Sequence, residues 1–365
     1  MRLRLLVSPP AFSCDLIAAL RFLHSALSLA KLHHQKHQVS RVPILDSLFA
    51  PPWTFYQRSP HALVNNDPTL ELTPMSAGLR VTGCRFANLA WTRRFHGTAP
   101  VPSRHLLRDF DVDQKTLTLT LNRPRYRNAL STTFLGDIKE ALDEASSRSD
   151  VHVIVVQAEG TVFSSGHDLK EVMSADQTFE TRLRLFKLCS DVMMSITQHR
   201  VPIIAKVDGM ATAAGCQLVA ACDLVVASSR SSFATPGVDI GLFCSTPAVS
   251  LSRAVSRRHA MEMLLTGDII DAEEAKRIGL VNRVVDPGNL DATVSTLATK
   301  ISKKSPHSIR IGKRAFYQQL NLNLEEAYQH ASQTMAENVN APDAVEGIGA
   351  FLEKRPPEWP SVRDA

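Results

Sequence analysis

"VPIIAKVDGMATAAGCQLVAACDLVVAS", residues 201–228, changes character three times within one short span. "VPIIAKV" is a brief β-branched apolar run, the pattern of a strand buried on both faces. "MATAAG" is a small-residue loop whose Ala and Gly leave the backbone amides uncovered, and it opens a helix. "CDLVVAS" returns to strand. Strand, tight loop, helix and strand in such close succession specify an α/β chain. Gln217 stands one turn into the helix, where an enzyme could place a carboxylate. Glutamine does not ionise, so it cannot serve as a general base.

Working outward, the same alternation recurs. "KTLTLTLNRP" (115–124) alternates Thr and Leu as a half-buried strand, and Ser131 caps a helix carrying Phe134, Ile138, Leu142 and Ala145 on one face. "VHVIVVQA" (151–158) reads as another doubly buried strand, and "TVFSSGHDLKEVM" turns through Gly166 into a helix. A helix over about 181–199 presents Leu185, Leu188, Val192 and Ile196. Asp271 and Glu274 have capping-box spacing, with Gly279 as the stop. Beyond Leu290 the pattern is helical through Phe316, Tyr317, Leu320, Tyr328 and Met335. Periodicity alone leaves a flat doubly wound sheet and a spiral equally open.

The net charge of +5 is uneven. Residues 1–100 hold eleven Lys/Arg against four Asp/Glu, whereas the rest holds 30 against 32. The near-neutral globular part has no Lys/Arg stripe, so charge gives no reason to invoke nucleic acid. The six cysteines show no CxxC pair or metal-ligand spacing, which fits buried thiols in a reducing compartment and no bound metal. No uninterrupted apolar run is long enough for a membrane span. Residues 1–74 form an unassigned extension expected to lack order. From Leu72 to Arg108 there is no acid but six arginines, and residues 75–97 have the composition of a mitochondrial transit peptide, with processing expected near His96. The alternative is a disordered basic tail.

Nucleotide fingerprints, a G-x-S-x-G elbow and an H-E-x-x-H helix are all missing from the sequence. Four segments, however, stand in a shared order: "LNRPRYRNALS" (121–131), "FSSGHDLKE" (163–171), "VDGMATAAGCQLVAACDLVVAS" (207–228) and "LTGDIIDAEEAKRIGLVNRVV" (265–285). Together they resemble the enoyl-CoA hydratase/isomerase (crotonase) superfamily, over about residues 110–358. The resemblance implies a ClpP-like spiral of β-β-α units over 110–290 and a helical trimerisation region over 291–358. It implies homotrimers or hexamers in the mitochondrial matrix, a coenzyme A thioester as substrate or ligand, and no further cofactor.

The family holds the thioester oxygen of an acyl-CoA between two backbone amides as it becomes an enolate. The resemblance assigns those amides to Ser165 and Ala214, with Ser165, Gly166, His167, Asp168, Ala214 and Gln217 around the substrate. Arg125 and Arg127 would meet the CoA phosphates, since guanidinium suits phosphate geometry; Lys354 and Arg355 are weaker candidates. The two glutamates that position water in the family's hydratases match Gln217 and Gly237, so standard hydration is not expected. His167 and Asp239 are the candidate substitute acid/base groups, and Asp168 is expected to brace its loop or touch CoA. Cys216 has no activating neighbour and is expected to pack. Three roles stay open: an enzyme of fatty-acid metabolism performing enolate chemistry other than hydration, an inactive acyl-CoA-binding regulator, or a protein- or RNA-interaction module.

Overall fold

The structure, a computed structural model, describes residues 104–363. The extension and the transit segment lie outside the described residues. Ten strands follow in chain order: β1 (Leu106–Asp111), β2 (Thr116–Leu121), β3 (Val153–Ala158), β4 (Val162–Ser164), β5 (Ile203–Val207), β6 (Met210–Thr212), β7 (Leu224–Ser228), β8 (Ser232–Ala234), β9 (Ile270–Asp271) and β10 (Arg283–Val285). The helices are α1 (Thr132–Ser146), α2 (Leu169–Val172), α3 (Phe179–Thr197), α4 (Ala214–Ala221), α5 (Ser245–Ala254), α6 (Arg257–Thr266), α7 (Ala272–Arg277), α8 (Leu290–Ser302), α9 (Pro306–Gln319), α10 (Leu324–Val339), α11 (Pro342–Glu353) and α12 (Pro360–Arg363).

The strands sort into two sheets, in the orders β1-β2-β3-β5-β7-β10 and β4-β6-β8-β9. Each of the pairs β3/β4, β5/β6 and β7/β8 sends its first strand to the large sheet and its second to the small one. The cores of both sheets are parallel. A strand, a short turn, a second strand and then a helix make one turn of a spiral, which decides between the two architectures the sequence left open.

The large sheet is buried on both faces, as its unbroken apolar strands require. Ile154, Val156, Ile203 and Val225 belong to the main core, with Phe134, Leu142 and Ile196. Val153, Val155, Ile204 and Val226 pack against Leu290, Val294 and Ala298 of α8. Ser131 caps α1 by accepting from the Phe134 amide, and Asp271 caps α7 by accepting from Glu274 at 2.8 Å. β1, antiparallel on the edge, escapes the sequence reading because "LLRDFD" is half exposed and does not alternate.

The helical segment after β10 is joined to the spiral by a part-buried polar knot. Lys313 on α9 donates to Asp223 at 2.6 Å and to the carbonyls of Ile196 and Val201. Tyr317 donates to the other Asp223 oxygen at 2.9 Å, and the Ile203 amide also donates to Asp223. Burial pushes the Lys313 ammonium down while the Asp223 charge opposes that shift, and Tyr317 is pushed up. Every oxygen of Asp223 is therefore committed to structure.

Candidate active site

The small sheet brings two loops together: the one after β4 and the one between β6 and α4. Their separation is set by glycine. Gly166 has φ +86°, and a Cβ built there would lie 2.9 Å from the Ala213 Cβ and 3.0 Å from the Ala214 nitrogen. A Cβ on Gly215 would fall 2.3 Å from the Ser164 carbonyl oxygen. No side chain fits at either position, so the two backbones approach as closely as backbones can. Ala213 itself sits at φ 50°, ψ −119°, a conformation an alanine adopts only when its surroundings impose it. Its amide is held by the Ala234 carbonyl of β8 at 3.0 Å.

Accounting for the amides of the first loop corrects one expectation. The Ser165 amide donates to the Arg127 carbonyl at 3.0 Å, so it is not free to hold a ligand. Gly166 donates to the Ser164 hydroxyl, and Asp168 to the Leu130 carbonyl. Leu130 pairs with His167 in an isolated parallel bridge, accepting from Asp168 and donating to the Gly166 carbonyl. Alternation along extended chain turns the intervening His167 N–H to the opposite side. Among the described residues it has no acceptor. The unoccupied amide lies two residues beyond the expected one, and no propensity could have exposed this, because the bond that occupies Ser165 runs to Arg127 in a distant loop.

On the second loop, Ala214 opens α4 as expected. Neither its amide nor those of Gly215 and Cys216 has an acceptor among the described residues, and Ala213 offers no side-chain cap. The helix N-terminus thus presents bare donors and the positive end of its dipole. Gln217 is 3 % exposed, and its Oε1 has no hydrogen-bond partner. A buried orphan acceptor of this kind costs roughly 1–3 kcal/mol until a donor arrives.

The His167 ring lies edge-on to Phe186 of α3, centroids 5.1 Å apart, and neither buried ring nitrogen has a hydrogen-bond partner. Burial pushes its pKa down; the Leu130 carbonyl opposes this without reaching hydrogen-bond geometry. The ring is neutral at pH 7. Asp168 is structural: it caps α2 at the Lys170 amide and pairs with Arg123 at 3.7 Å. Burial raises the Cys216 thiol to about 12, keeping it protonated and inert.

Gly237 is buried, and a Cβ there would lie 2.8 Å from both the Cys244 sulfur and the Leu242 carbonyl. The position is closed as well as lacking a carboxylate. Asp239 is exposed, with Oδ1 beside Gly267 at the end of α6. Arg125 and Arg127 are exposed and have no acidic partner among the described residues. Arg355 is committed to Glu346 and Glu353, both at 2.7 Å, which removes it as a phosphate ligand.

Two residues of the scaffold went unrecognised in the sequence. Asn128, fully buried at φ 51°, accepts from the Arg123 amide and donates to the Glu159 and Val162 carbonyls. Arg123 donates to the Ala129 carbonyl and the Ser131 hydroxyl. The pair fixes the loop that occupies the Ser165 amide. The one available signal was Asn in a turn, the residue that best tolerates a left-handed backbone.

The family model for enoyl-CoA hydratase/isomerase matches residues 112–362. The chain belongs to the enoyl-CoA hydratase/isomerase family. It is 52% identical to the mouse enoyl-CoA hydratase domain-containing protein 3, mitochondrial, over 66% of this chain and 80% of that one. The human protein of that name is 48% identical over 66% of this chain and 79% of its own. The crystal structure of human enoyl Coenzyme A hydratase domain-containing protein 3 superposes with a TM-score of 0.68 at 46% identity, covering 70% of this chain and all of that one. An enoyl-CoA hydratase structure from Mycobacterium smegmatis gives 0.68 at 48% identity, covering 70% and 99%. Among the described residues of this family member, no helix is long and apolar enough to cross a membrane, and no cluster of His, Cys, Asp or Glu could hold a metal.

Proposed function

We propose that the spiral binds an acyl-CoA with its thioester oxygen between the amides of His167 and Ala214, stabilising an enolate without the hydratase carboxylates. The observation that carries this reading is the pair of acceptor-free N–H groups on two loops packed backbone to backbone around Gly166. An enolate concentrates charge on one oxygen, and fixed donors stabilise it without reorganising. The α4 dipole adds to the effect. Of the titratable side chains on the two loops, Asp168 is paired and Cys216 stays protonated. His167 remains, neutral and unpartnered, as the group to take the α-proton. Gln217 would hydrogen-bond a substrate oxygen or water without exchanging its proton. Arg125 and Arg127, unpaired and exposed, would meet the CoA phosphates.

The mitochondrial names of the relatives and the arginine-rich segment 75–97 support a place in mitochondrial lipid metabolism. Exposed Phe316, Leu324, Tyr328, Met335, Ile348 and Phe351 on the C-terminal helices support self-association through that region. The missing carboxylates favour one second reading: an acyl-CoA-binding protein that performs no turnover. Incubating the protein with acyl-CoAs in deuterium oxide separates the two. Binding with exchange of the α-proton, lost in His167→Gln, supports the first. Binding without exchange supports the second, and no affinity for any acyl-CoA removes both.

A further inference from the structure

Behind the two loops lies a cavity of ≈ 800 Å³ that the enolate chemistry does not require. It is bounded by α3, by the C-terminal half of α4, by α5 and by α9. One end is Gln217, on the same helical face as Ala214 three residues earlier. The Gln217 Oε1 itself is buried and unpartnered. Met193, Val219 and Leu280 contribute apolar wall. The lining runs along α3 from Ser190 to Gln198, ~12 Å of helix, the reach of a medium-length acyl chain.

The charge of the cavity is one-sided. Arg253 and Arg314 line it, and both are exposed at its edge. Arg253 donates only to the Val249 carbonyl of its own helix, and among the described residues neither guanidinium has an acidic partner. Asp223 is the sole lining acid, and it is saturated by Lys313, Tyr317 and the Ile203 amide. A mixed apolar and polar cavity that begins at Gln217, one helical turn from Ala214, and carries two unpaired guanidiniums is complementary to a chain with an anionic tip.

We propose that the cavity holds an acyl chain whose far end carries its own carboxylate, making an ω-carboxyacyl thioester the substrate class. This rests on the acyl-CoA reading above. The thioester sits at the α4 N-terminus, the methylenes lie along α3 and α4, and the terminal carboxylate meets Arg253 and Arg314. The CoA phosphates are excluded as the anion by direction. Arg125 and Arg127 stand beside the first loop, whereas this cavity follows α4 away from its N-terminus.

Isothermal titration of the full chain with suberoyl-CoA, octanoyl-CoA and acetyl-CoA tests this, beside the double variant R253Q/R314Q. Both arginines are exposed, so the variant keeps the fold. The expected result is that suberoyl-CoA binds roughly three- to tenfold tighter than octanoyl-CoA at low salt, the range for partly screened charge pairs. That preference disappears in the variant and shrinks as salt is raised. Equal or tighter binding of octanoyl-CoA, or a preference that survives the variant, overturns the proposal while leaving the acyl-CoA reading intact. A variant that weakens acetyl-CoA equally assigns the arginines to the CoA phosphates and overturns it too. A variant that changes sedimentation instead of ligand preference makes the groove a contact between copies and likewise overturns the proposal. If no CoA ester binds, the acyl-CoA reading falls and this inference falls with it.

Discussion

Gly166→Ala is the sharpest perturbation of the proposed thioester site. The new Cβ would meet the Ala213 Cβ at 2.9 Å, the Ala214 nitrogen at 3.0 Å and the Thr212 oxygen at 3.1 Å. All three lie on the facing loop, so that loop must give by a few tenths of an ångström. Alanine at φ +86° adds backbone strain of about 1–2 kcal/mol, and relieving the contacts about 1–3 kcal/mol. The expected loss is about 2–5 kcal/mol, on the order of 5–20 °C in Tm for a domain of this size. Moving Ala214 out of line would also remove one donor, worth about 10²–10³ in any enolate-forming rate. Gly241→Ala is the control: its φ is +77°, and its Cβ would meet nothing within 4 Å. It carries the backbone strain alone, about 1–2 kcal/mol. The assay pairs thermal unfolding with α-proton exchange and acyl-CoA affinity. If Gly166→Ala behaved like Gly241→Ala in exchange and affinity, the two loops would not form one oxygen-binding site.

Other consequences are separable. Gln217→Glu alone will leave crotonyl-CoA hydration weak, as followed by loss of the enoyl absorbance. Adding Gly237→Glu will destabilise the protein instead of restoring hydration, because the Cys244 sulfur and Leu242 carbonyl already fill that space. Lys313→Met, which removes the cation from the part-buried Asp223, should cost about 1.5–3 kcal/mol in urea unfolding, and Lys313→Met with Asp223→Asn should cost less. His152, His167 and His199 are all pushed down by burial, so the unfolded chain binds protons first as pH falls. Stability is full above the unfolded value, roughly pH 6.5, and declines below it toward the folded values. His199 accepts from the Val201 amide, and this neutral-ring bond breaks on protonation, so His199→Asn should flatten the pH dependence of Tm.

In the large sheet β3, β5 and β7 were legible as unbroken apolar runs and β2 by its Thr/Leu alternation, whereas β1 was not; α1, α3 and α7 were legible because their caps and stripes are local. The small sheet was not. β4, β6 and β8 are three residues each and β9 two, too short to show a period. The spiral came from recognising four segments together. The place of Ala214 at the start of α4, with Gln217 one turn on, was readable from the small-residue loop before them. The choice between Ser165 and His167 depended on a bond to Arg127 and a bridge to Leu130, contacts across more than thirty residues. Nor could the sequence show that Gly237 is closed, since Cys244 and Leu242 reach it only after the chain turns at Gly241.

The most direct test of the account is the infrared carbonyl stretch of butanoyl-CoA carrying ¹³C at its thioester carbon, free and bound. Two fixed amide donors at His167 and Ala214 polarise that carbonyl, so the account predicts a stretch at lower frequency in the complex than in water, with the shift reduced in Gly166→Ala. A bound thioester whose carbonyl absorbs as it does in water would contradict it.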